Sequence, residues 1–531
     1  MERVPDSCKN NARRFLLLTM TFVLAFSIVP YLLAWAATPD GYHYMWNSYN
    51  PQDADTYLAK MRLGWLGEWR FRLMHTPERQ PGVYLNLFYL LLGHGARWLH
   101  LPLLSVFHGM RILMAFVLLY ALWWLGGRIA STVSTRCWAV WFAFVGGGVG
   151  WAAAWLHPVP VDLSLPEAYG FLSALVNPHF PAAQVLLVVL LGGLVLWVED
   201  HDADFGIWPL VLAVALLCLS VIQPFAVVTV GIAWGLWLGY WMFSHQFIYW
   251  KVLIVIVLIG CLGLLYPLYG VLSIQQDPVL SGWNAQNLTP SPPWWTWILG
   301  YAVSLPFVLI GIVRLLKQHS SLGWMLIAWI VAIILGIISP LGIQRRFSLG
   351  LSIPIGLLAG VGWAYFLAGR SAWRISLQGG MVVLTLATPF AMALVSVRQP
   401  QYADLFYIRE EEIAAANFLL DLGPGYVLLS SPTRGEALPW LSGQQVVIGH
   451  SMETVAYQRR ETEVKAFFDG SWGKELQSAF ICKEGVDYIW WGPIERALSK
   501  NHVFALPGAL PIFENDAVSV FAVKDICRQG E

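Results

Sequence analysis

Charge is what this chain has least of: only 12% of its 531 residues are Asp, Glu, Lys or Arg, while 57% are hydrophobic. Soluble chains average about 25% charged and about 45–50% apolar residues. A single water-soluble globule is therefore excluded, as are a disordered chain and a nucleic-acid-binding protein, because too few charges remain to solvate a surface or hold a phosphate backbone. Cysteine is scarce too. Six Cys residues are too few for a disulfide scaffold over this length, and no Cys-x-x-Cys or His-x-x-x-His spacing reads as a structural metal site. Cys137, Cys218 and Cys261 fall in or beside apolar runs, where a free thiol behaves as a small hydrophobe.

What the chain has in quantity is apolar runs near the roughly 20 residues needed to cross a bilayer. The runs at 15–36, 103–126, 137–156, 181–198, 207–222, 224–243, 250–270, 295–313, 323–340, 347–368 and 377–397 predict a polytopic α-helical membrane protein of about eleven spans. Residues 83–98 are apolar but interrupted by His94, Gly95 and Arg97, which reads as interfacial or re-entrant. Arg3, Lys9, Arg13 and Arg14 precede the first run, so the N-terminus is expected in the cytoplasm. Ala34-Trp35-Ala36 resembles a signal-peptidase site, yet the run is longer than a typical h-region and reads as a retained anchor. Eleven spans from that start put Arg128, Arg136, Lys251, Arg314, Lys317, Arg370 and Arg374 inside and the C-terminal segment outside.

The zero net charge hides a split: residues 398–531 carry 12 Lys and Arg against 18 Asp and Glu, and residues 1–397 carry 20 against 14. The chain accordingly divides into a membrane domain, 1–397, with a first outer loop at 38–82, and a small soluble α/β domain, 398–531. Strand-like runs in the latter are 426–430, 445–448, 488–491 and 518–523, and helical patterns are 408–420 and 455–468. Cys482 and Cys527 share this segment; outside the cytoplasm a bridge between them is permitted, with two free thiols as the alternative.

In so uncharged a membrane domain each carboxylate carries information, and the first outer loop holds five: Asp40, Asp53, Asp55, Glu68 and Glu78. Tyr57, Leu58, Met61, Trp65 and Trp69 recur at helical spacing, which predicts a short amphipathic helix on the membrane surface with Asp53 and Asp55 at its N-terminus. One Asp there is explained by helix capping alone. Functionally, the two carboxylates suit a general base for an acceptor hydroxyl, or ligands for a divalent cation such as Mg²⁺ or Mn²⁺. Arg345 and Arg346 end a span on the expected outer side, against the positive-inside trend; two guanidiniums there suit a lipid-linked phosphate, while snorkelling to headgroups is the plainer reading. His108 and Arg111 share a helix face, either lining a cavity or serving as an anchor and a carbonyl-bound Arg. His157, Asp162, Glu167, Asn177 and His179 fill a further outer loop that would cover a substrate cavity or form an interface belt. The acidic run 199–204 reads as a solvated cytoplasmic loop.

Together these features resemble the GT-C glycosyltransferases, multi-span enzymes that take sugars from polyprenyl-phosphate carriers on the non-cytoplasmic face. Protein mannosyltransferases and lipid A aminoarabinose transferases are members. The likeness rests on one span followed by an outer loop with Asp53-Ala54-Asp55-Thr56-Tyr57, on Gly67-Glu68-Trp69, and on the late Arg345 and Arg346. Members commonly carry Asp followed by Glu and then Tyr; here Ala54 stands where the second acid would be and Asp55 is displaced. The resemblance implies inverting transfer from a polyprenyl-phosphate-linked sugar to a lipid or glycan acceptor at the outer face of a bacterial plasma membrane. It implies Asp53 as base, Asp55 as its partner or a cation ligand, Arg345 and Arg346 at the donor phosphate, and Tyr57, His108, Arg111 and His179 around the substrate cavity. A transporter of lipid-linked sugars would need the arginines without the base, but no internal repeat or matched pair of broken spans is visible.

Overall fold

The computed structural model of the chain describes residues 6–47, 49–199, 206–246, 250–370, 372–397, 403–499, 504–523 and 526–527. Residues 200–204 of the acidic run lie outside these. Among the described residues seven helices are long and apolar enough to span a membrane: Ala12–Ala36, Leu103–Ile129, His179–Glu199, Ala226–His245, Trp250–Gln276, Gln344–Leu367 and Arg374–Val397. The bent pair Trp294–Tyr301 and Leu305–Lys317, with 79° between its halves, gives an eighth if counted as one span. Trp208–Ile222 and Ser321–Ile337 are shorter apolar helices. The run expected to span at 137–156 is corrected: its helix is Val133–Phe144. The glycines Gly146–Gly148 end it, and Val149 N–H donates instead to Leu299 O at 3.0 Å.

The chain forms two compact units, one of residues 1–30, 108–269 and 289–397, the other of residues 31–107, 270–288 and 398–531. In the first, the helices Val133–Phe144 and Ser352–Leu367 pack backbone to backbone. A Cβ on Gly356 or Gly360 would lie 2.2 Å from Ala143 N or Ala139 Cα, so the Gly-x-x-x-Gly spacing is a packing face.

The second unit joins the first-loop residues to the C-terminal segment. Strand β1 (Tyr42–Tyr44) pairs antiparallel with β2 (Tyr407–Arg409). The remaining strands, β3 (Val427–Leu429), β4 (Gln445–Val446), β5 (Tyr488–Trp491), β6 (Leu510–Glu514) and β7 (Ser519–Ala522), form a sheet of order β4-β3-β5-β7-β6. The β3 pairings are parallel and the β7 pairings antiparallel. Alternation along the strands separates two cores. Leu428, Trp490 and Val520 face Ala415, Leu419 and Leu438, while Leu429 and Ile489 face Val464, Phe467 and Ile481. Cys482 and Cys527 are bridged, with Cα atoms 5.4 Å apart.

Candidate active site

The expected first-loop helix is Pro51–Leu66, closed by Gly67 at φ 101°, so Trp69 lies beyond it. It departs from a surface helix in its burial. Leu58 and Met61 are buried as the apolar pattern requires, but so are Asp55 and Lys60, because the second unit encloses the helix. Arg62 Nε donates to Trp440 O at 2.7 Å, joining it to the helix Pro432–Ser442.

This enclosure gives the two aspartates different chemistry. Residues two apart on an α-helix point about 200° apart around its axis. Asp55 is 1% exposed and its Oδ1 accepts from Asn47 Nδ2 at 3.1 Å and Trp440 Nε1 at 2.9 Å. Burial, with the Glu436 carboxyl nearby, pushes its pKa up to about 8, which favours the protonated form. Asp53 keeps 39% of its side chain exposed and faces His450, with Nε2 3.5 Å from Oδ1, while Asn50 Nδ2 donates to Oδ2. Asp55 Oδ1 is committed to two N–H donors and the side chain leaves the helix about 200° from Asp53, so the two carboxylates do not converge as a bridging pair. Among the described residues no three His, Cys, Asp or Glu side chains gather as metal ligands. Asp55, expected as base partner or cation ligand, is a buried carboxyl hydrogen-bonded to Asn47 and Trp440.

Around Asp53 the C-terminal segment supplies groups that no local spacing announced. His450 Nδ1 accepts the Met452 N–H at 3.2 Å. Burial works against the charged ring, but Asp53, Glu436 and Glu453 outweigh it and raise its pKa. Glu436 is buried; Oε1 accepts from Gln52 Nε2 at 2.8 Å, Oε2 has no hydrogen-bond partner, and burial raises its pKa. Glu453 lies 2.5 Å from Lys60 Nζ and 3.6 Å from His75 Nδ1. Burial alone would raise it, yet Lys60 and the imidazoles of His75 and His450 hold it well below the usual carboxylate range. His75 Nε2 meets Glu436 O at 3.0 Å, and Thr454 Oγ1 donates to His75 O at 2.8 Å. One solvent-facing carboxylate thus stands on a buried, hydrogen-bonded base of acids, imidazoles and one ammonium.

The other expected residues are placed as follows. Tyr57, half-buried, stacks on Tyr89 at 4.4 Å with Lys60 Nζ 5.0 Å from its ring centre. In the first unit Arg345 Nε lies 3.2 Å from Glu167 Oε1, and Arg345 and Arg346 belong to a short 3₁₀ turn, Gln344–Ser348. His179 begins its helix, buried against Phe180. Arg111 is 1% exposed and donates to Ser27 O and Ala174 O, with Nε 3.4 Å from His108 Nδ1, the carbonyl-bound alternative of the two expected for it. Asp162 is likewise internal: Oδ2 accepts from Gly148 N, Gly150 N and Thr388 Oγ1, and burial pushes its pKa up to about 6.

No protein-family model matches the chain, and no curated protein matches it. Solved structures do. The oligosaccharyltransferase of Archaeoglobus fulgidus, tethered with an acceptor peptide containing an NVT sequon, aligns at TM-score 0.55 and 10% identity over 92% of this chain and 70% of its own. The same enzyme has been seen with Zn and sulfate. ArnT from Cupriavidus metallidurans, bound to undecaprenyl phosphate, aligns at TM-score 0.51 and 13% identity over 94% of this chain and 98% of its own. The arabinofuranosyltransferase AftD from Mycobacteria aligns at TM-score 0.50 and 15% identity over 95% of this chain and 41% of its own. All three are GT-C glycosyltransferases, and at these identities the likeness is one of architecture. The chain has a GT-C-like fold, a polytopic helical membrane body with a small C-terminal α/β region.

Proposed function

We propose that this chain is a membrane glycosyltransferase moving a sugar from a polyprenyl-phosphate donor to a lipid or glycan acceptor at the outer face of a bacterial plasma membrane. The observation that carries this reading is Asp53, an accessible carboxylate held against His450 in a chain of GT-C-like fold. Asp53 takes the proton of the acceptor hydroxyl as its oxygen attacks the anomeric carbon. The bond from that carbon to the phosphate oxygen breaks on the opposite face, and the lipid phosphate leaves with inversion at carbon. Arg345 and Arg346 serve the donor phosphate, where positive charge stabilises the leaving group. In Arg345 the Glu167 contact runs through Nε, one of five guanidinium N–H donors. The N-terminus is cytoplasmic and the C-terminal segment extracytoplasmic in this reading.

The test uses purified protein given undecaprenyl phosphate loaded with a radiolabelled sugar, together with host envelope extract as acceptor. Asp53→Asn is expected to lower transfer at least about 100-fold, the lower end of what a general base contributes. Full transfer by Asp53→Asn rejects the base assignment. A transporter of lipid-linked sugars would keep its activity in that variant.

A further inference from the structure

We propose that His450, from the C-terminal segment, is a positioning residue for Asp53: its Nε2–H holds the carboxylate in the orientation that receives the acceptor proton. The proposal rests on the reading of Asp53 as base, and it makes the C-terminal segment part of the catalytic machinery. Three observations carry it.

The imidazole has a defined direction. A backbone N–H can only donate, so the contact from Met452 N to His450 Nδ1 at 3.2 Å leaves the neutral ring its hydrogen on Nε2, the atom 3.5 Å from Asp53 Oδ1. That separation is long for a formed hydrogen bond and short enough to tighten when substrate is bound.

The ring is also held from behind. His450 sits on a closed turn in which Glu453 N and Thr454 N donate to His450 O at 3.0 and 2.9 Å, and Gly449 N donates to Thr454 Oγ1 at 3.0 Å. Thr454 Oγ1 donates in turn to His75 O, and Val446 N donates to Met74 O at 2.9 Å, so the turn is fixed to the first-loop segment that follows the Asp53 helix.

Finally, the contact is asymmetric. The His450 side chain is only 10% exposed, whereas Asp53 keeps 39% of its side chain open to solvent. The imidazole is enclosed with its donor outward, and the carboxylate it meets is the partner accessible to a substrate. In the reaction the proton passes from acceptor hydroxyl to Asp53, and His450 keeps its own.

Two substitutions separate this role from a structural one, because Gln places its amide nitrogen near Nε2 and Asn places its own near Nδ1. His450→Gln keeps a donor toward Asp53, and His450→Asn loses it. The assay is the same transfer from radiolabelled undecaprenyl-phosphate sugar. His450→Gln is expected to keep kcat within about threefold of the parent, and His450→Asn to lose about 10- to 100-fold in kcat, in line with the cost of misplacing a reacting group. KM for the donor should move less than about twofold in both. Equal losses in the two variants, or a faster Asn variant, overturn the proposal, as does an effect confined to KM. Asp53→Asn run alongside keeps the two readings apart: full transfer there removes the base assignment itself, while loss there with equal His450 variants removes only the positioning role.

Discussion

At the scale of single residues, two aspartates separated by one alanine have opposite fates. Asp55 is enclosed, and its raised pKa has a sign that can be tested. The unfolded group loses its proton near the ordinary value of 3.8, whereas the folded group keeps it to about 8. Between those values the folded state binds the extra proton, so stability is greatest below pH 3.8 and is lost as pH rises toward 8. The slope is about 1.4 kcal/mol per pH unit for one group. Asp55→Asn can still accept from Trp440 and Asn47 but has nothing to ionise. Denaturant midpoints at pH 5 to 8 should therefore fall less steeply in the variant than in the parent, and parallel slopes would show that Asp55 is ionised in the fold. The importance of this acidic pair was legible in the sequence because acids are so rare there. The division of roles was not, because it depends on Trp440, 385 residues away.

At the scale of elements, periodicity found most of the framework and missed what joins it. The helix at 51–66 and the strands near 427, 445, 488 and 519 follow from apolar patterns. Strand β6, Leu510–Glu514, escaped because it is an edge strand with both faces largely exposed, so no alternation marks it. The helix Pro432–Ser442 escaped because Pro432, Gly435 and Pro439 read as punctuation, although Pro432 merely occupies the first turn, after the Ser431 cap. That helix carries Glu436 and Trp440, so missing it meant missing half of the site. Gly435 has a reason of its own: a Cβ there would lie 1.9 Å from Ile448 O, two residues from His450. Gly435→Ala must therefore push the 448–454 turn away from the Pro432–Ser442 helix. A destabilisation of about 1–3 kcal/mol is expected, with transfer activity falling further than the folded fraction does. Limited proteolysis and the transfer assay on the same preparation check it, and an Ala variant as active as the parent would show that the turn can shift without cost to the site.

At the scale of the whole molecule, the deciding quantity is parity. Seven spans, or the eleven that the apolar runs suggest, put the two ends of the chain on opposite sides of the membrane, and eight or ten return them to the same side. Parity thus depends on the bent pair at 294–317 and the short helices Trp208–Ile222, Ser321–Ile337 and Val133–Phe144, whose lengths fall between those of a buried helix and a full span. Two features independent of length favour opposite sides. Lys and Arg precede the first span, which favours a cytoplasmic N-terminus, and a Cys482–Cys527 bridge fits an oxidising compartment for the C-terminal segment. Alkaline phosphatase, active only outside the cytoplasm, should then be active when fused after Leu420 and inactive when fused after Gly380. A membrane-impermeant maleimide, added to intact cells before and after a reductant, should label Cys482 and Cys527 only after it. Activity at Gly380 with none at Leu420 would invert the membrane body and place Asp53, Glu436 and His450 in the cytoplasm, where a lipid-linked sugar presented at the outer face never arrives. Topology is therefore the measurement on which the proposed chemistry most directly depends.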